Sequence, residues 1–359
     1  MTETFHSLMI DDIHRETNDA VSLRFFVPKG LEHAFRFRAG QHVTLRAVVE
    51  GEELRRNYSL CVSPHDGELR VAVKRIADGR FSTWANNRLT AGQMIDVLPP
   101  HGSFTWPFEE GRRGAYLGIA GGSGITPILA LIKTALIEEA DSHFTLLYGN
   151  RLSAGIMFLE ELAALKNRYM DRLAVHHFLQ DEEDVEAPLF NGQLDREKLT
   201  ILFGALVDPT RIDAAFICGP APMMDAAETT LGEAGVMPKA IMLERFTAGR
   251  PTAAKAAKLE REREAASGRR LLIAMDGRTR RLAFDSRHGS ILDSARAAGL
   301  APPYACKAGV CATCRARLVR GKVSMAANYG LSAEEIANGY VLTCQAVPLT
   351  EEVVLDYDA

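Results

Sequence analysis

Four of the six cysteines are concentrated in the last sixth of the chain. Cys306, Cys311 and Cys314 are separated by four and two residues, and Cys344 follows after twenty-nine more. This is the C-x4-C-x2-C spacing with a distant fourth cysteine that is typical of plant-type [2Fe–2S] sites. Two irons bridged by two sulfides need four thiolates, so the spacing predicts that these four side chains bind such a cluster.

The residues between the first three cysteines suit a tight loop. Ala305, Ala308 and Ala312 keep the loop slim, and Gly309 can adopt a positive φ, so that amide groups can turn toward the sulfides. Zinc is the alternative metal, but structural zinc sites usually use two paired knuckles, and this segment has one C-x2-C pair. In a long chain without a secretory signal, clustered cysteines favour a metal or redox site over disulfides.

A glycine-rich turn in the middle of the chain has a pattern that binds dinucleotides. A buried strand predicted over 115–119 leads into G-x-G-x-x-P, whose fixed residues are Gly122, Gly124 and Pro127. Glycines let the backbone approach a pyrophosphate, and the following helix offers free amide groups and the positive end of its dipole. Proline is well tolerated in a first helical turn. A plain strand-to-helix turn is the alternative.

Two further strand ends carry candidate nucleotide contacts. The second predicted strand of this region ends at Arg151, where NAD enzymes commonly have an acidic residue for the ribose 2′-hydroxyl. A guanidinium there can pair with a 2′-phosphate, which favours NADPH over NADH; a surface arginine is the alternative. A later strand enters a Gly-Pro turn at Cys218, which is either a residue facing a ring ligand or a small buried apolar residue.

The pattern of elements around these motifs predicts three domains and a linker. Short β runs with turn signals over 1–107 indicate an antiparallel β-barrel. Alternating strands and helices over 112–247 indicate a doubly wound α/β nucleotide-binding domain. The alanine- and charge-rich segment 248–268 is predicted to be a solvated, partly helical linker, with a partner-docking helix as the alternative. Residues 269–359 form the cysteine-containing domain.

Composition and charge limit the classes of function. The 359 residues suit two or three domains, and 47% apolar with 25% charged residues is typical of a globular protein. The 42 Lys+Arg and 46 Asp+Glu give a formal charge of −4, which argues against a nucleic-acid partner bound by phosphate neutralisation. No apolar run reaches the roughly 20 residues of a membrane helix, and the N-terminus lacks a signal-peptide pattern. The sequence therefore predicts a cytoplasmic protein with no membrane partner.

Two short motifs in the barrel segment complete a set that resembles a known family. Arg56-Asn57-Tyr58-Ser59 matches R-x-Y-S, and Gly79-Arg80-Phe81-Ser82 matches G-x-x-S. With G-x-G-x-x-P and the C-G-P-x-x-M stretch that begins at Cys218, in this order, the chain resembles the ferredoxin–NADP reductase family. The C-terminal cysteines narrow the resemblance, which covers the whole chain, to single-chain oxygenase reductases. It implies a flavin-binding β-barrel, an NADP-binding α/β domain and a β-grasp ferredoxin domain.

The resemblance also implies a role for each matching residue. The catalytic residues are implied to be Ser59, which hydrogen-bonds near flavin N5, Cys218, which lies beside nicotinamide C4, and Glu244, which closes the flavin side. The flavin contacts are implied to be Arg56, with adjacent Arg55 as its alternative, Tyr58 stacking on the isoalloxazine, Ser59, Lys74, Gly79, Ser82 and Phe246. The nucleotide contacts are implied to be Gly122, Gly124, Thr126, Pro127, Cys218 and Gly219, in addition to Arg151. The G-x-x-S motif favours FAD over FMN.

Electron counting connects the predicted cofactors. NADPH delivers two electrons as a hydride, a [2Fe–2S] cluster accepts one at a time, and a flavin can hold none, one or two. The resemblance therefore implies a reductase that passes single electrons to the oxygenase component of a multicomponent monooxygenase. Whole-chain resemblance favours the di-iron oxygenase that epoxidises phenylacetyl-CoA, with a ring-hydroxylating oxygenase or a hybrid-cluster protein as the alternative. A redox-responsive binding module and a zinc-binding interaction protein are the non-enzymatic alternatives.

Overall fold

The computed structural model describes residues 4–246 and 253–359. The chain divides into two compact units. The N-terminal unit is Phe5–Glu244, and the C-terminal unit is Arg245–Ala359 together with Thr4. Among the described residues, no helix combines the length and apolar character that crossing a membrane requires.

The first half of the N-terminal unit is a six-stranded antiparallel sheet in the order β4-β3-β6-β1-β2-β5. Its strands are β1 (His6–Thr17), β2 (Ala20–Phe26), β3 (His42–Val49), β4 (Glu52–Ser59), β5 (Leu69–Lys74) and β6 (Met94–His101). A bridge between Leu60 and Val71 joins the two end strands and closes the sheet into a barrel. Alternate residues such as Leu23, Val43 and Leu45 are fully buried inside it. Helix α1 (Arg80–Arg88) follows β5.

The second half of this unit is a five-stranded parallel sheet in the order β11-β10-β7-β8-β9. Its strands are β7 (Ala115–Gly121), β8 (His143–Asn150), β9 (Leu173–Leu179), β10 (Ala214–Cys218) and β11 (Ile241–Glu244). Its helices are α2 (Ile125–Glu138), α3 (Leu159–Arg168), α4 (Arg196–Ala205) and α5 (Ala221–Glu233). Apolar clusters cover both faces of the sheet. The strand order reverses between β7 and β10, and ligands of doubly wound sheets bind at such a switch point.

Polar groups join the barrel to helix α2 and helix α3. The hydroxyls of Ser63 and Thr134 are hydrogen-bonded at 2.9 Å in a buried position. The Lys133 ammonium, whose side chain is 12% exposed, lies 2.5 Å from an Asp66 carboxylate oxygen and 2.8 Å from one of Glu161. These contacts fix the two halves of the unit relative to each other, because each polar group is withdrawn from water and needs its partner.

The C-terminal unit contains a mixed five-stranded sheet in the order β13-β12-β18-β14-β16. Its strands are β12 (Arg270–Met275), β13 (Arg278–Ala283), β14 (Arg315–Arg320), β16 (Tyr340–Leu342) and β18 (Glu352–Asp356), while β15 (Val323–Met325) pairs with β17 (Ala346–Pro348). Its helices are α6 (Ala253–Ala265), α7 (Ile291–Ala297) and α8 (Ala333–Ala337). β12 and β18 are parallel, and α7 packs on the sheet through buried Ile291 and Ala295. The predicted barrel, doubly wound sheet and β-grasp domain are confirmed.

Helix α6 occupies most of the described part of the predicted linker. Residues 247–252, which include the first part of that linker, lie outside the described residues. The end of the helix packs against the C-terminal unit, because Arg263 Nε donates to the Gly289 carbonyl at 3.1 Å and Ala266 is fully buried. This end of the segment is therefore part of the folded unit.

Candidate cofactor sites

Tyr58 and Ser59 end strand β4 beside the first turn of α1. The centre of the Tyr58 ring is 5.8 Å from that of Phe81, in a tilted arrangement. Burial raises the pKa of the Tyr58 phenol, so this side chain is neutral at physiological pH. Ser59 is buried. A neutral aromatic face can stack on a planar ring, and a hydroxyl can hydrogen-bond to a polar atom at the edge of such a ring.

The structure distinguishes the two neighbouring arginines of β4. Arg55 is half-buried, and its Nη2 lies 2.9 Å from a Glu53 carboxylate oxygen. Arg56 is exposed, and its Nη1 donates to the Arg55 carbonyl at 2.8 Å. Because side chains alternate across a strand, Arg56 shares the face of Tyr58 and Arg55 does not. Which of the two arginines contacts the flavin diphosphate stays a prediction.

Gly79 and Ser82 form the N-terminus of α1. A Cβ at Gly79 would collide with Ile76 and with the Ser82 hydroxyl, so only glycine fits there. Ser82 Oγ accepts from the Ile76 amide at 3.2 Å and donates to the Gly79 carbonyl at 3.1 Å. The hydroxyl thus closes the turn, and the first-turn amides of the nine-residue helix form the end that can bind a phosphate.

Lys74, at the end of β5, faces the parallel-sheet half of the unit. Its Nζ donates to the Gly155 carbonyl at 3.4 Å and is 3.8 Å from an Asp19 carboxylate oxygen. These residues line an open cavity of about 820 Å³ together with Gly122 and Arg151. The structure therefore brings Lys74 next to the candidate nucleotide residues; its predicted contact with the flavin stays a prediction.

The glycine turns after β7 and β10 touch each other through their backbones. A Cβ at Gly124 would collide with the Cys218 carbonyl, and one at Gly219 would lie 2.9 Å from the Gly121 amide nitrogen. Gly122 has φ +53°, in the left-handed region that favours glycine. Both motifs thus meet at the switch point of the sheet, where the sequence alone could not show their contact.

Thr126 and Pro127 lie in the first turn of α2 and are buried. Thr126 Oγ1 donates to the Ser123 carbonyl at 3.0 Å, which fixes the turn between the strand and the helix. Pro127 has no amide to leave unpaired at this position. The first amides of this fourteen-residue helix form the end at which the helix dipole would stabilise a pyrophosphate.

Cys218 and Glu244 are direct neighbours on parallel strands β10 and β11. Cys218 is fully buried, and its burial, followed by the nearby Glu244 charge, raises the pKa of the thiol well above its usual value. The side chain is therefore a neutral thiol and not a nucleophile. Its chemistry suits a contact with a ring and not a covalent step.

Arg151 follows β8 and pairs with an acid that follows β9. Its Nε and Nη2 lie 2.8 Å and 2.7 Å from the same oxygen of Asp181, and its side chain is 80% exposed. One edge of the guanidinium thus faces the carboxylate, and Nη1 remains on its other side. Asp181 has no local sequence signal, because the loop after β9 contains no recognisable motif.

The four predicted cluster cysteines come together in two pairs. The neighbouring Cys311 raises the pKa of Cys306, and the neighbouring Cys344 raises the pKa of Cys314. In turn, Cys306 lowers the pKa of Cys311 to about 5, and Cys314 lowers the pKa of Cys344. Gln345 Nε2 donates to the Lys307 carbonyl at 2.8 Å and the Thr343 amide to the Cys314 carbonyl at 3.2 Å, so the segment that carries Cys344 lies against the cysteine loop. Two thiols per iron is the donor set of a binuclear cluster.

Backbone amides of the loop point toward these sulfurs. The Ala308 amide donates to Cys306 Sγ at 3.3 Å. The backbone amides of Val310, Thr313 and Gly309 act to lower the pKa of Cys306, Cys311 and Cys344, respectively. Within the described residues, no three His, Cys, Asp or Glu side chains converge as they would around one metal ion. Thiols in pairs with inward-facing amides fit a [2Fe–2S] group.

A histidine pair that the sequence analysis did not assign lies beside Ser59. His42 is paired in register with Ser59 on one side and with His101 on the other, and the two imidazole centres are 4.3 Å apart. His42 is 5% exposed, and neither of its ring nitrogens has a hydrogen-bond partner among the described residues. No local sequence signal could have indicated this arrangement, because it depends on the register of three strands.

Phe246, the last residue before the undescribed segment, is 39% exposed and belongs to the C-terminal unit. Its predicted contact with the flavin stays a prediction.

Three family models match successive parts of the chain. An oxidoreductase FAD-binding domain matches residues 7–106, an oxidoreductase NAD-binding domain residues 119–229, and a 2Fe-2S iron-sulfur cluster binding domain residues 273–349. The fold resembles that of phthalate dioxygenase reductase, with a TM-score of 0.60 and 23% identity over 98% of both chains. The chain is thus a modular oxidoreductase that carries FAD-, NAD(P)- and [2Fe–2S]-binding domains in this order.

Sequence similarity to two named proteins narrows the class of oxidoreductase to which the chain belongs. The chain is 46% identical to a subunit of the 1,2-phenylacetyl-CoA epoxidase of Escherichia coli (strain K12), over 99% of this chain and 98% of that protein. It is 33% identical to the ferredoxin reductase component of the 3-ketosteroid-9-alpha-monooxygenase of Rhodococcus rhodochrous, over 98% of this chain and 96% of that protein. The chain belongs to this family of flavin and iron–sulfur reductase components of monooxygenases, and it is an NAD(P)H-dependent electron-transfer reductase.

Proposed function

We propose that the chain supplies electrons from NADPH to the di-iron oxygenase that epoxidises phenylacetyl-CoA. The observation that carries this proposal is the 46% identity, over nearly the full length, to a subunit named for that epoxidase. The three family models account for the route from nicotinamide to flavin to cluster. When bound, FAD supplies the conversion of one hydride into two single electrons.

The residues of the chain would hold each group in turn. Tyr58 would stack on the flavin ring, with Ser59 near N5, and Arg56 and the amides after Gly79 would neutralise its diphosphate. The turn at Gly122 and Gly124 would cradle the coenzyme pyrophosphate, and Lys74, which lines the same cavity as Gly122, would approach the flavin diphosphate. The packed turns that contain Cys218 would exclude water from the reacting carbon. The four cysteines would hold the cluster.

The preference for NADPH rests on Arg151, and the neighbouring Asp181 favours NADH as the second candidate. A guanidinium suits a 2′-phosphate, whereas a carboxylate suits a ribose 2′-hydroxyl and repels a phosphate. We expect Arg151→Ala to raise the KM for NADPH about tenfold, the equivalent of about 1.4 kcal/mol, and to leave the KM for NADH unchanged. Steady-state reduction of ferricyanide with each coenzyme measures both values.

The matched variant Asp181→Asn separates the two candidates. If NADPH is the physiological coenzyme, this variant improves the use of NADPH or leaves it unchanged, because a repelling charge is lost. A wild-type enzyme that prefers NADH, and loses that preference in Asp181→Asn, would contradict the assignment of NADPH.

The acceptor is tested with purified oxygenase components. The holoprotein and NADPH should support epoxidation of phenylacetyl-CoA by the di-iron oxygenase, with one NADPH consumed per epoxide. A ring-hydroxylating oxygenase supplied with its own substrate is the matched comparison. Faster turnover with the ring-hydroxylating oxygenase than with the di-iron enzyme would assign the chain to the other acceptor.

A further inference from the structure

Three cations border the loop that carries the first three cysteines, and Arg296, Lys307 and Arg315 are together called the basic rim. Lys307 directly follows the first of these cysteines, and Arg315 directly follows the third. The three side chains are 38%, 37% and 52% exposed. Cys306 is the least buried of the four cluster cysteines, and Lys307 directly follows it in the chain.

Tyrosine rings hold each cation of the rim in place. The Arg296 guanidinium lies 4.3 Å, and the Lys307 ammonium 5.0 Å, from the centre of the Tyr304 ring. The Arg315 guanidinium lies 5.4 Å from the centre of the Tyr340 ring. Cation–π contacts restrict these long side chains, so that less conformational entropy is lost when a partner binds them.

Two carboxylates accompany the rim, but they lie deeper than the cations. An Asp293 oxygen is 2.6 Å from Lys307 Nζ and 3.5 Å from Arg296 Nη1, and a Glu335 oxygen is 2.6 Å from Arg315 Nη1. The two acids are 30% and 27% exposed, less than the three cations they pair with. These five side chains carry three positive and two negative charges, a formal excess of one positive charge, and the cations are the more exposed members.

The domain that carries the rim has a net positive charge, and it exposes side chains of the types that are common in protein interfaces. Residues 269–359 contain twelve Lys+Arg and nine Asp+Glu, whereas the whole chain has a formal charge of −4. Tyr329 is 50% exposed, and its amide donates at 2.8 Å to the Gly309 carbonyl of the cysteine loop. Ile336 of α8, next to Glu335 in sequence, is 47% exposed. Tyrosine and arginine are the residue types that concentrate in protein interfaces.

We propose that the basic rim is the docking surface for the electron acceptor and that it selects a protein with an acidic surface around its own metal centre. The inference rests on the proposed function in one respect, namely that the acceptor is a protein. In each encounter the reductase loses one electron and the acceptor gains one, with no bond formed or proton exchanged. Opposite charges accelerate such encounters and orient the partners.

The reaction rates of small charged oxidants report the sign of the electrostatic potential at the basic rim, and this test needs no oxygenase. The test compares the reduced holoprotein with its K307Q/R315Q variant by following reoxidation of the cluster. With the anionic oxidant ferricyanide, we expect the variant to react about threefold more slowly at low salt. With the cationic oxidant hexaammineruthenium(III), we expect it to react faster by a similar factor. Both differences should vanish near 1 M salt, where the Debye length is about 3 Å.

Controls separate a field effect from damage to the cluster. The R278Q/R280Q variant removes the same charge from exposed positions of β13 and should leave both rates unchanged. R296Q removes a rim charge that is not adjacent to a cysteine in sequence, and it should show a smaller change of the same sign. Unchanged ferricyanide and ruthenium rates in both rim variants would overturn the proposal, as would an equal change in the β13 control.

Binding of the di-iron oxygenase tests the docking itself. In K307Q/R315Q the association rate at low salt should fall at least tenfold, while the midpoint potential of the cluster and its reduction by NADPH stay as in the wild type. A shifted potential with normal association would mean that the cations tune the cluster, and it would overturn the proposal. The predicted field effect together with failure of the wild type to reduce this oxygenase would support the rim and contradict the proposed acceptor.

Discussion

His42 is the residue whose surroundings are energetically most demanding. An imidazole with both nitrogens buried and unpartnered among the described residues costs about 1–3 kcal/mol of stability. Burial, followed by the charge of His101, holds the pKa of His42 well below its ordinary value of 6.5, so the ring is neutral. Such groups are retained where a ligand or a function uses them. The neighbouring Ser59, a candidate flavin contact, is the reason to test this residue.

Replacing His42 by Phe should stabilise the flavin-free protein by about 1 kcal/mol at neutral pH, because an unpartnered polar group is removed. The wild type should also lose stability as the pH falls below about 6.5, since the unfolded chain then binds a proton that the folded His42 does not. The His42→Phe variant should lose less stability over the same pH range. Urea unfolding at pH 7.5 and pH 5.5 measures both effects. His33→Phe, at an exposed position, is the control and should show neither change.

Cys311 gives the second prediction at this scale. Cys311→Ser should lose the iron, keep the flavin and the reduction of ferricyanide by NADPH, and deliver electrons to the oxygenase at least a hundredfold more slowly. Iron assay, the visible spectrum and the two activities measure these effects. Cys61→Ala, at a buried cysteine of the barrel half, should keep its iron. Retention of iron by Cys311→Ser would contradict the assignment of the four ligands.

Among the elements, the contact between the β7 and β10 turns positions the candidate coenzyme site. The two turns approach so closely that their backbones leave no room for a side chain at Gly124 or Gly219. Helix α2 starts from one turn and α5 from the other. The distance between the first turns of α2 and α5 is therefore set by these glycines. A methyl group at either glycine would push the two turns apart.

Gly124→Ala should destabilise the protein by about 2 kcal/mol and raise the KM for NADPH, because the added Cβ collides with the Cys218 carbonyl. Gly204→Ala is the matched control. Gly204 lies within helix α4, and an added Cβ there would meet nothing within 4 Å, so alanine should stabilise the protein by about 0.5–1 kcal/mol. Thermal unfolding and coenzyme titration measure the two outcomes. A Gly124→Ala protein with normal stability would exclude the inferred close packing.

For the whole molecule, the junction between barrel and sheet matters most for the first electron transfer. A flavin contacted from the barrel and a nicotinamide contacted from the sheet can meet only if these halves keep a fixed orientation. Lys133 serves this purpose, since it binds Asp66 of the barrel half and Glu161 of α3.

Lys133→Met should therefore destabilise the N-terminal unit by about 2–3 kcal/mol, because two partly buried carboxylates lose their shared cation. It should also slow flavin reduction by NADPH more than it changes the KM. Denaturant unfolding and stopped-flow reduction measure these effects. Lys258→Met, which removes an exposed ammonium from an i,i+4 pair with Glu262, should change the stability by less than about 0.5 kcal/mol. Equal effects of the two substitutions would contradict a special role for the junction.

Features that depend on local backbone chemistry could be predicted from the order of residues alone. The spacing of Cys306, Cys311 and Cys314 defines a loop that can surround a cluster, and Gly122 and Gly124 define a turn that can approach a phosphate. Periodicity predicted the order of barrel, parallel sheet and cysteine domain, because each element must bury one face.

Contacts between side chains that are distant in sequence could be identified only from the tertiary structure. The contact of His42 with His101, the ion pair of Arg151 with Asp181 and the place of Lys74 in the candidate coenzyme cavity depend on strand register and on the closure of the barrel. Register is set by the burial of whole strands and not by the residues that happen to become neighbours. A shift of the strand pairing by one residue would move every side chain of the strand to the opposite face of the sheet. These contacts therefore have no local signal in the sequence.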